Sequence, residues 1–529
     1  MERPKMFTKQ IWRFEMIKIR FKIIIFISVL SLTLGGCATL KPAPPQPDVF
    51  SLPPAKSGLL SETSARISET LGPGESAFML LLRNDDALNW RLALIDHAVS
   101  SIDAQYFIWE SNKTARLLLK RLIKAADRGV RVRLLVDDLL IIGKDRQIAA
   151  LSHHPYFDIK IFNPGSVRDS TLGAIGEFLL YFKELNRRMH NKLFVVDNHI
   201  AIVGGRNIGN PYFGLSQKYN FRDLDALVAG AVIEELSEAF DEYWNADLSY
   251  PGIAMADIDS AKIQQELREF LAQYLDEKQD YVISYPRHPK SWEEKFLQLP
   301  ARIKKGEAHV IQDKPVQMGG EEHRLVDMLR YLAEPNHKEL TIVTPYLIPV
   351  GNFLEDIAKL SSEGVKVTIL TGSMGSNNHT AAHSHYKKYR RRILATGAHL
   401  FEFKHNPSRE MRDLSDVPPV EASFISLHIK AMVGDRKRCF IGSLNLDPRA
   451  IKINTENGLY IESADLAREM ARQFDVMLAP QNAWRVYLNE DNQLRWESSS
   501  GTVSRQPARS FGQRIADFFF RLLPIESQL

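Results

Sequence analysis

The segment HNKLFVVD at residues 190–197 recurs as HIKAMVGD at residues 428–435 of this 529-residue chain. In both copies a His is followed two residues later by Lys and seven residues later by Asp. Each copy also has a Gly fourteen residues and an Asn seventeen residues after its His. A buried strand with polar ends does not require His and Lys at matched positions in two places. The repeat therefore indicates two similar halves that carry the same chemical groups.

The residue types in the repeat suit one kind of chemistry. An imidazole is a nucleophile and a proton carrier, an ammonium neutralises negative charge, and an amide donates hydrogen bonds. Held in fixed register twice, these groups can attack a phosphodiester and stabilise the crowded charge that results. The sequence therefore favours an enzyme that acts on phosphodiesters over a purely structural protein.

The doubled motif resembles that of the phospholipase D superfamily. The flanking segments RRMHNKLFVVDNHIAIVGGRNIG and FIGSLNLDPRAIKINTENGLYIES are similar to its bacterial cardiolipin synthase branch, and most of all to the C-type. The resemblance covers roughly residues 75–480 and also the C-terminal segment LLPIES. It implies an α/β fold of two similar α/β/α sandwich halves, with mixed sheets flanked by helices. A pseudo-two-fold axis would relate the halves around one shared active site.

Periodicity along the chain agrees with two halves. In the first half, the pattern predicts strands over residues 101–109 and 130–136 around a helix over residues 115–126. The second half repeats this order with strands over 340–349 and 365–370 around a helix over 353–360. The expected organisation is a signal peptide (1–36), a tether with a lipidated Cys (37–74), the first half (75–285), a crossover (286–320), the second half (321–490) and a tail with an amphipathic helix (491–529).

The resemblance implies a phosphatidyltransferase that makes cardiolipin. A phosphatidyl group from phosphatidylglycerol or phosphatidylethanolamine would pass through a phosphohistidine to another phosphatidylglycerol. The alternative is a hydrolytic phospholipase D, which would use the same residues with water as acceptor and release phosphatidic acid. A secreted nuclease or another phosphodiesterase is a further alternative. A non-catalytic lipid-binding lipoprotein would be favoured if either His–Lys pair were broken, but both pairs are intact.

The resemblance also implies roles for the repeated residues. We assign the nucleophile to His190 and the acid and base to His428, although the sequence itself does not break the symmetry between them. Lys and Asn side chains would hold the phosphoryl oxygens. The candidates for this role are Lys192, Lys430, Asn207 and Asn445, and Ser443 would add a hydroxyl donor.

An attacking imidazole needs a carboxylate on its other nitrogen to fix its tautomer. Glu456 follows His428 by 28 residues and Asp223 follows His190 by 33 residues. We therefore expect Glu456 to pair with His428 and Asp223 to pair with His190, with Asp225 as a reserve. The acids inside the motifs, Asp197 and Asp435, follow short apolar strands, so we expect them to form structural salt bridges or turn contacts.

No metal or other cofactor is expected. Lys and Asn donors can neutralise a phosphoryl group, and no ligand cluster of convincing spacing appears in the sequence. His379 and His383 are four residues apart, with His385 nearby, but no acidic or Cys ligand follows them. A groove-lining or surface role is the expectation for these histidines.

The N-terminal segment has the pattern of an exported lipoprotein. Basic residues precede an apolar run over residues 23–34, which ends at Gly35-Gly36-Cys37. The resemblance to lipoprotein signals makes Cys37 the lipidated first residue of the mature chain, although Met6 and Met16 leave the true start open. The alternative is a membrane-spanning anchor, but such an anchor requires about 20 apolar residues, and the run over residues 23–34 is shorter. Without a partner for a disulfide, Cys439 is expected to be a buried thiol.

The net charge of the mature chain indicates which class of partner it is suited to bind. The first 22 residues hold seven Lys and Arg and two Glu, so their net charge is +5, and residues 23–36 are uncharged. The whole chain carries +4, which leaves 4 − 5 = −1 for the mature chain. A nucleic-acid enzyme would be expected to carry a basic footprint. We expect phospholipid substrates and a membrane as partners, no nucleic acid, and a periplasm-facing anchor, with Ala38 after Cys37 favouring the outer membrane.

Overall fold

A computed structural model of the chain describes residues 40–168, 170–276, 290–315 and 338–529. The signal segment and Cys37 therefore lie outside the described residues. The chain divides into two compact units. The smaller contains residues 164–186 together with the chain up to Ala43, and the larger contains residues 44–163 and 187–529.

The elements up to residue 276 follow the predicted order of strands and helices. They are α1 (Leu59–Ser68), β1 (Ser76–Leu81), α2 (Asn84–His97), β2 (Ser101–Tyr106), α3 (Lys113–Asp127), β3 (Arg131–Asp137), α4 (Asp145–Leu151), β4 (Phe157–Phe162), α5 (Thr171–Leu180), α6 (Phe182–Leu185), β5 (Leu193–Val196), β6 (Ile200–Gly204), β7 (Asn220–Arg222), β8 (Asp225–Gly230), α7 (Val232–Trp244), β9 (Ser249–Pro251) and α8 (Ser260–Asp276). The helices α5 and α6 belong to the smaller unit, and all the others belong to the larger.

The elements from residue 290 onward repeat much of this order. They are α9 (Lys290–Gln298), β10 (Lys304–Gln312), β11 (Glu339–Val343), α10 (Phe353–Ser362), β12 (Lys366–Gly372), α11 (Thr380–Tyr386), α12 (Arg390–Ala395), β13 (His399–Phe403), α13 (Arg409–Arg412), β14 (Ile425–Leu427), β15 (Ala431–Gly434), β16 (Arg438–Gly442), α14 (Pro448–Lys452), β17 (Asn457–Glu462), α15 (Ala464–Leu478), β18 (Ala483–Leu488), β19 (Leu494–Ser498), β20 (Gly501–Val503) and α16 (Phe511–Leu522).

The expected mixed α/β halves are confirmed by the strand order. In the first half the sheet runs β1-β8-β6-β5-β2-β3-β4-β9, with β2, β3 and β4 parallel and the other neighbours antiparallel. In the second half it runs β10-β17-β16-β15-β11-β12-β13-β18, with β11, β12 and β13 parallel. These eight-strand orders match, so the motif repeat extends well beyond the motifs, and β19 and β20 continue the second sheet past β18.

Strand β10 lies in the predicted crossover and joins the two sheets. Its first residues pair antiparallel with β1, where Gly306 faces Ser76. Its later residues pair antiparallel with β17, where Gln312 faces Asn457. One continuous sheet therefore runs through both halves of the larger unit, which fixes the position of one motif relative to the other.

Buried apolar side chains hold the two halves together. One core cluster contains residues of both motif strands, among them Val195 and Val433, and the helices α7 and α15 pack over it. Cys439 belongs to the same cluster and is a free, fully buried thiol, as the sequence indicated. Burial raises the pKa of this thiol, which keeps it protonated.

The C-terminal helix α16 buries a charged residue and exposes apolar ones, whereas a helix on a globular core usually does the reverse. Its one buried residue is Asp517, which binds His383 of α11 and Lys387 directly after that helix. Most of its exposed side chains are apolar, namely Phe511, Ile515, Phe518, Phe519, Phe520 and Leu522, and the charged Arg521 is exposed among them. The sequence left open whether the apolar stripe covers the body or faces outward. In the structure the polar face contacts the body and the stripe is exposed.

Candidate active site

The motif strands place His and Lys at the start of a short hairpin in each half. Lys192 directly precedes β5, and β5 pairs with β6, which leads to Asn207. Asp197 lies in the tight turn between them with φ near 53°, and its carboxylate accepts the backbone N–H groups of Ser100 and Ser101. Asp435 does the same for Lys338 and Glu339 in the second half. The two motif acids are turn contacts, as expected.

Short backbone bridges between the halves bring the two motifs to one centre. Strand β7, which ends at Arg222, pairs in parallel with β14, which ends at Leu427. Met189 and Thr455 form the equivalent parallel bridge on the other side. The backbone N–H of His428 then donates to the carbonyl of Arg222 at 2.9 Å. The N–H of His190 donates to the carbonyl of Thr455 at the same distance.

Because of these backbone contacts, the His of each half binds a carboxylate that the other half supplies. His190 Nδ1 lies 2.7 Å from Oε2 of Glu456, and His428 Nδ1 lies 2.6 Å from Oδ2 of Asp223. The predicted pairing of each His with the acid of its own half is wrong. Each acid directly follows the residue whose carbonyl binds the other half's His, so the chain delivers it to the opposite motif.

The reserve carboxylate, Asp225, has a different role. Its Oδ2 lies 2.9 Å from Arg91 and 3.2 Å from Arg206, and all three side chains are buried. Buried ions are stabilised only when they are paired and hydrogen-bonded. Asp225 therefore supports the interior of the first half and is not a partner of either His.

The repeated Lys and Asn residues gather around the histidines. Lys192 Nζ donates to the carbonyl of His190, and Lys430 Nζ donates to that of His428. Asn207 accepts from the backbone N–H of Ile108 and donates to the hydroxyl of Tyr212. Among the described residues, the buried Oδ1 of Asn445 has no hydrogen-bond partner.

Ser443 contacts a carboxylate rather than open space. Its hydroxyl donates to Oε2 of Glu456 at 2.5 Å, and its Oγ accepts from the backbone of Asn457. The sequence predicted a hydroxyl donor to the phosphoryl oxygens at this position, and in the structure the hydroxyl binds the acid that contacts His190. Its counterpart Gly205 lies against Asp223, where an added Cβ would come within 2.3 Å of Oδ1. The two halves therefore hold their acids in different ways.

Burial controls the charge of the histidines. Removal from water lowers the pKa of His428 to about 4 and, with the nearby ammonium groups of Lys192 and Lys430, lowers that of His190 well below its usual value. The charge of His428 also lowers the pKa of His190. Both imidazoles are neutral at pH 7 when no anion is bound.

The two carboxylates differ in their protonation. The pKa of Asp223 is lowered to about 2, because His428, Lys430 and Arg206 outweigh the cost of burial. Burial raises the pKa of Glu456 well above its usual value, despite Lys192 and the Ser443 hydroxyl. A carboxylate that stays ionised stabilises the charged form of its His partner more strongly. The environment of the site therefore breaks the symmetry that the sequence left open.

The ammonium groups are also strongly affected by burial. Desolvation lowers the pKa of Lys192 to about 7 and that of Lys430 to about 8. A phosphodiester in the site would bring negative charge next to both groups and favour their protonated forms. The site is therefore poised for an anion.

Several aromatic neighbours were missed by the sequence interpretation. The ring of Phe107 lies 4.8 Å from that of His190, and Phe221 and Tyr212 lie 4.5 and 5.3 Å from His428. Burial holds the pKa of Tyr212 well above its usual value, so its hydroxyl stays protonated beside Asn207. Phe107 and Tyr212 lie close to residues that the repeat highlighted, but nothing in the spacing distinguished them from core residues.

The three other histidines are not arranged around a metal. His383 and His385 are buried rather than exposed or groove-lining, so that expectation is wrong for them. His383 binds Asp517 at 3.0 Å and His385 binds Glu526 at 2.9 Å, and both acids belong to the C-terminal tail. Among the described residues, no group of His, Cys, Asp and Glu side chains could hold a metal ion. His383 and His385 therefore attach the C-terminal tail to the rest of the larger unit.

Comparisons with known proteins agree with the repeated architecture. The family model described as cardiolipin synthase, PLD-like domain matches residues 92–244 and 328–478. Cardiolipin synthase C of Escherichia coli K12 is 31% identical over 463 residues, which cover 86% of this chain and 96% of the relative. A cardiolipin synthase of Clostridium perfringens SM101 is 26% identical over 72% of this chain and 66% of its own length.

A solved structure shows the same fold. Phosphatidylserine synthase of Haemophilus influenzae Rd KW20 superposes with a TM-score of 0.55 at 15% identity. The match covers 88% of this chain and all of that structure. At this identity the likeness shows the fold alone.

Proposed function

Because this chain belongs to the phospholipase D superfamily, in its cardiolipin synthase branch, and is a phosphatidyltransferase of that type, we propose that it makes cardiolipin. A phosphatidyl group from phosphatidylglycerol or phosphatidylethanolamine is transferred to the terminal hydroxyl of a second phosphatidylglycerol. The observation that carries this proposal is the pair of buried His–carboxylate contacts at one anion-poised centre.

In the first step, Nε2 of His190 attacks the phosphorus of the donor lipid. The N–P bond forms, the bond from phosphorus to the head-group oxygen breaks, and His428 gives that oxygen its proton. In the second step, His428 takes the proton of the acceptor hydroxyl as its oxygen attacks the phosphohistidine. The N–P bond then breaks, and both histidines return to their starting states.

The assignment of roles is supported by the environments of the two rings. A general acid must carry a proton, and His428 faces a carboxylate that stays ionised, Asp223. A nucleophile must present an unprotonated nitrogen, and burial together with Lys192 and Lys430 lowers the pKa of His190 well below its usual value. The anionic substrate favours protonation of His428 when it binds. We therefore assign attack to His190 and proton transfer to His428.

The phosphoryl oxygens are held by Lys192, Lys430, Asn207 and Asn445. Lys side chains act as point charges, and amide N–H groups add directed hydrogen bonds. The carboxylates Glu456 and Asp223 orient the rings through their Nδ1 atoms, and Ser443 orients Glu456. All the chemistry is assigned to side chains, with no cofactor.

We also propose that the enzyme works at a membrane surface as a lipoprotein anchored by Cys37 and facing the periplasm. No helix within the described residues is long and apolar enough to span a bilayer. The exposed apolar stripe of α16 would lie on the bilayer, with Arg514 and Arg521 on the same helix available to anionic head groups. The mature charge of −1 favours lipid over nucleic-acid partners.

Product analysis tests the proposed reaction. Purified full-length enzyme is given phosphatidylglycerol vesicles with and without phosphatidylethanolamine, and the products are resolved by mass spectrometry. Cardiolipin is expected as the main product, and its dependence on phosphatidylethanolamine identifies the donor. His190→Ala and His428→Ala should each lower turnover by at least about a thousandfold, and circular dichroism should show that both variants still fold. Phosphatidic acid without cardiolipin would show a hydrolase instead.

A further inference from the structure

A large apolar cavity lies beside the first half of the active site. Its volume is about 460 Å³, and it lies between the sheet and the helices α3, α4 and α8. Most of its lining is aliphatic, including Leu119, Leu134, Val136, Ile148, Ile159 and Leu267. Ligand pockets in proteins fall in this range of volumes and have this composition.

The cavity is partly open at the surface, and its wall is mainly aliphatic. Such a wall offers dispersion contacts to an apolar group and gives water no hydrogen bonds. Leu134, Val136 and Ile159 point from the sheet into this space. The cavity is therefore suited to a flexible apolar ligand.

One stretch of chain connects the cavity to the catalytic centre. The ring of Phe107 contacts that of His190, and the N–H of Ile108 donates to Asn207. Trp109 comes next and lines the cavity. Two residues of chain span at most about 7 Å, so a lining residue of the cavity lies close to a residue that contacts the reacting His.

Polar residues from several elements also line the cavity. Glu110 and Ser111 follow Trp109, Arg116 is on α3, and Lys144 directly precedes α4. Gln147 of α4 and Glu266 of α8 also belong to the lining. A mainly aliphatic lining with some polar groups suits an amphiphile.

We propose that this cavity binds one acyl chain of the phospholipid whose phosphate is held by His190 and His428. The inference rests on the proposed function, because it takes the reacting phosphodiester to be that of a lipid. The interior offers dispersion contacts and no directed polar group, so it selects the length of the chain and not the head group. The cavity is a specificity site for long-chain lipids.

The test compares lipids with long and short acyl chains. Full-length enzyme is assayed on dioleoyl phosphatidylglycerol in detergent micelles and on dihexanoyl phosphatidylglycerol in solution, and kcat/KM is measured for both. Leu119→Trp fills the cavity, and Leu117→Trp on the same helix is the matched control because Leu117 does not line it. Leu119→Trp is expected to lower the long-to-short ratio of kcat/KM by at least about tenfold, with the short-chain value retained. Leu117→Trp should leave the ratio unchanged.

A second pair of variants and a separate product readout distinguish failure of the cavity proposal from misfolding and from failure of the proposed reaction. If Leu119→Trp does not fold, Leu119→Gln and Leu117→Gln give the same comparison with a polar side chain of similar size. An unchanged ratio in a folded Leu119 variant, or an equal loss on both lipids, would overturn the proposal. The ratio can be read from any lipid product, so phosphatidic acid in place of cardiolipin would reject the proposed reaction without affecting the test of the cavity.

Discussion

His190 Nδ1 is bound at 2.7 Å to a carboxylate oxygen of Glu456, a residue that lies 266 positions later in the chain. The mirror contact joins His428 to Asp223 over 205 positions. Each half therefore supplies a His to its own motif and an acid to the other. Neither half contains a complete His–carboxylate pair, so catalysis requires both.

The crossed pairing predicts which residues are energetically coupled. In a double-mutant cycle on stability, His428→Ala and Asp223→Asn should show a coupling energy of about 0.5–3 kcal/mol, because they remove the same contact. His428→Ala and Glu456→Gln should be close to additive. The measurement is urea unfolding of the four variants of each cycle. Coupling between His428 and Glu456 in place of Asp223 would contradict the crossed arrangement.

Anion affinity should depend on the lysines. Burial lowers the pKa of Lys192 to about 7 and that of Lys430 to about 8, and only their protonated forms attract an anion. Sulfate keeps one charge state from pH 6 to pH 9, so its affinity should be highest near pH 6. It should fall by up to about tenfold per pH unit for each coupled proton as the pH rises through 7 to 8. The pKa of His428, at about 4, lies below this window.

Calorimetric titration over this pH range measures the effect. Lys430→Met should bind sulfate more weakly at pH 6 and lose the step near pH 8. A wild-type affinity that is constant from pH 6 to pH 9 would show that the lysines are not the groups that bind the anion.

The stripe of α16 should support activity on vesicles. Phe518 and Phe519 are 56% and 61% exposed, and burying two such rings in a bilayer is worth several kcal/mol. The double variant Phe518→Ser/Phe519→Ser should raise the apparent KM for phosphatidylglycerol vesicles by at least about tenfold. Its activity on dihexanoyl phosphatidylglycerol in solution should not change.

Val476→Ser provides the control for the tail variant. Val476 is 49% exposed on α15, so its replacement removes a comparable exposed apolar group outside the tail. Equal effects of the tail and control variants on vesicle activity would argue against a role of α16 at the membrane.

Lipidation of Cys37 should provide the main anchor. Cys37→Ser should move the protein from the membrane to the soluble fraction, because a thioether-linked lipid cannot form on Ser. Fractionation of cells followed by immunoblotting measures the distribution. Combination with Phe518→Ser/Phe519→Ser should remove any residual binding. Unchanged membrane retention of Cys37→Ser would count against lipidation as the sole anchor.

Periodicity predicted one strand–helix–strand unit in each half, and the family resemblance implied the complete architecture. The helix expected over 115–126 is α3 at Lys113–Asp127, and the helix expected over 353–360 is α10 at Phe353–Ser362. Periodicity predicts such elements because each has one face on the core. The shared strand order follows from the same pattern, since matched strand–helix–strand units form matched sheets.

The crossed carboxylates could not be predicted from spacing alone. Glu456 and Asp223 were correctly singled out, but sequence distance favoured the His of the same half. The bridges Met189–Thr455 and β7–β14 decide the pairing, and they form only when the halves meet. The buried contacts of His383 and His385 with the tail were missed for the same reason, because their partners lie more than 130 residues away.

Strand β10 also has a consequence for biosynthesis. Its partner β17 begins at Asn457, so one edge of β10 stays unpaired until most of the 529 residues have been made. An unpaired strand edge is a template for aggregation, and long-range strand pairing is slow. A chain that emerges from its N-terminus during synthesis presents this edge before its partner arrives. Productive folding should therefore depend on a chaperone that covers β10 until β17 has been made.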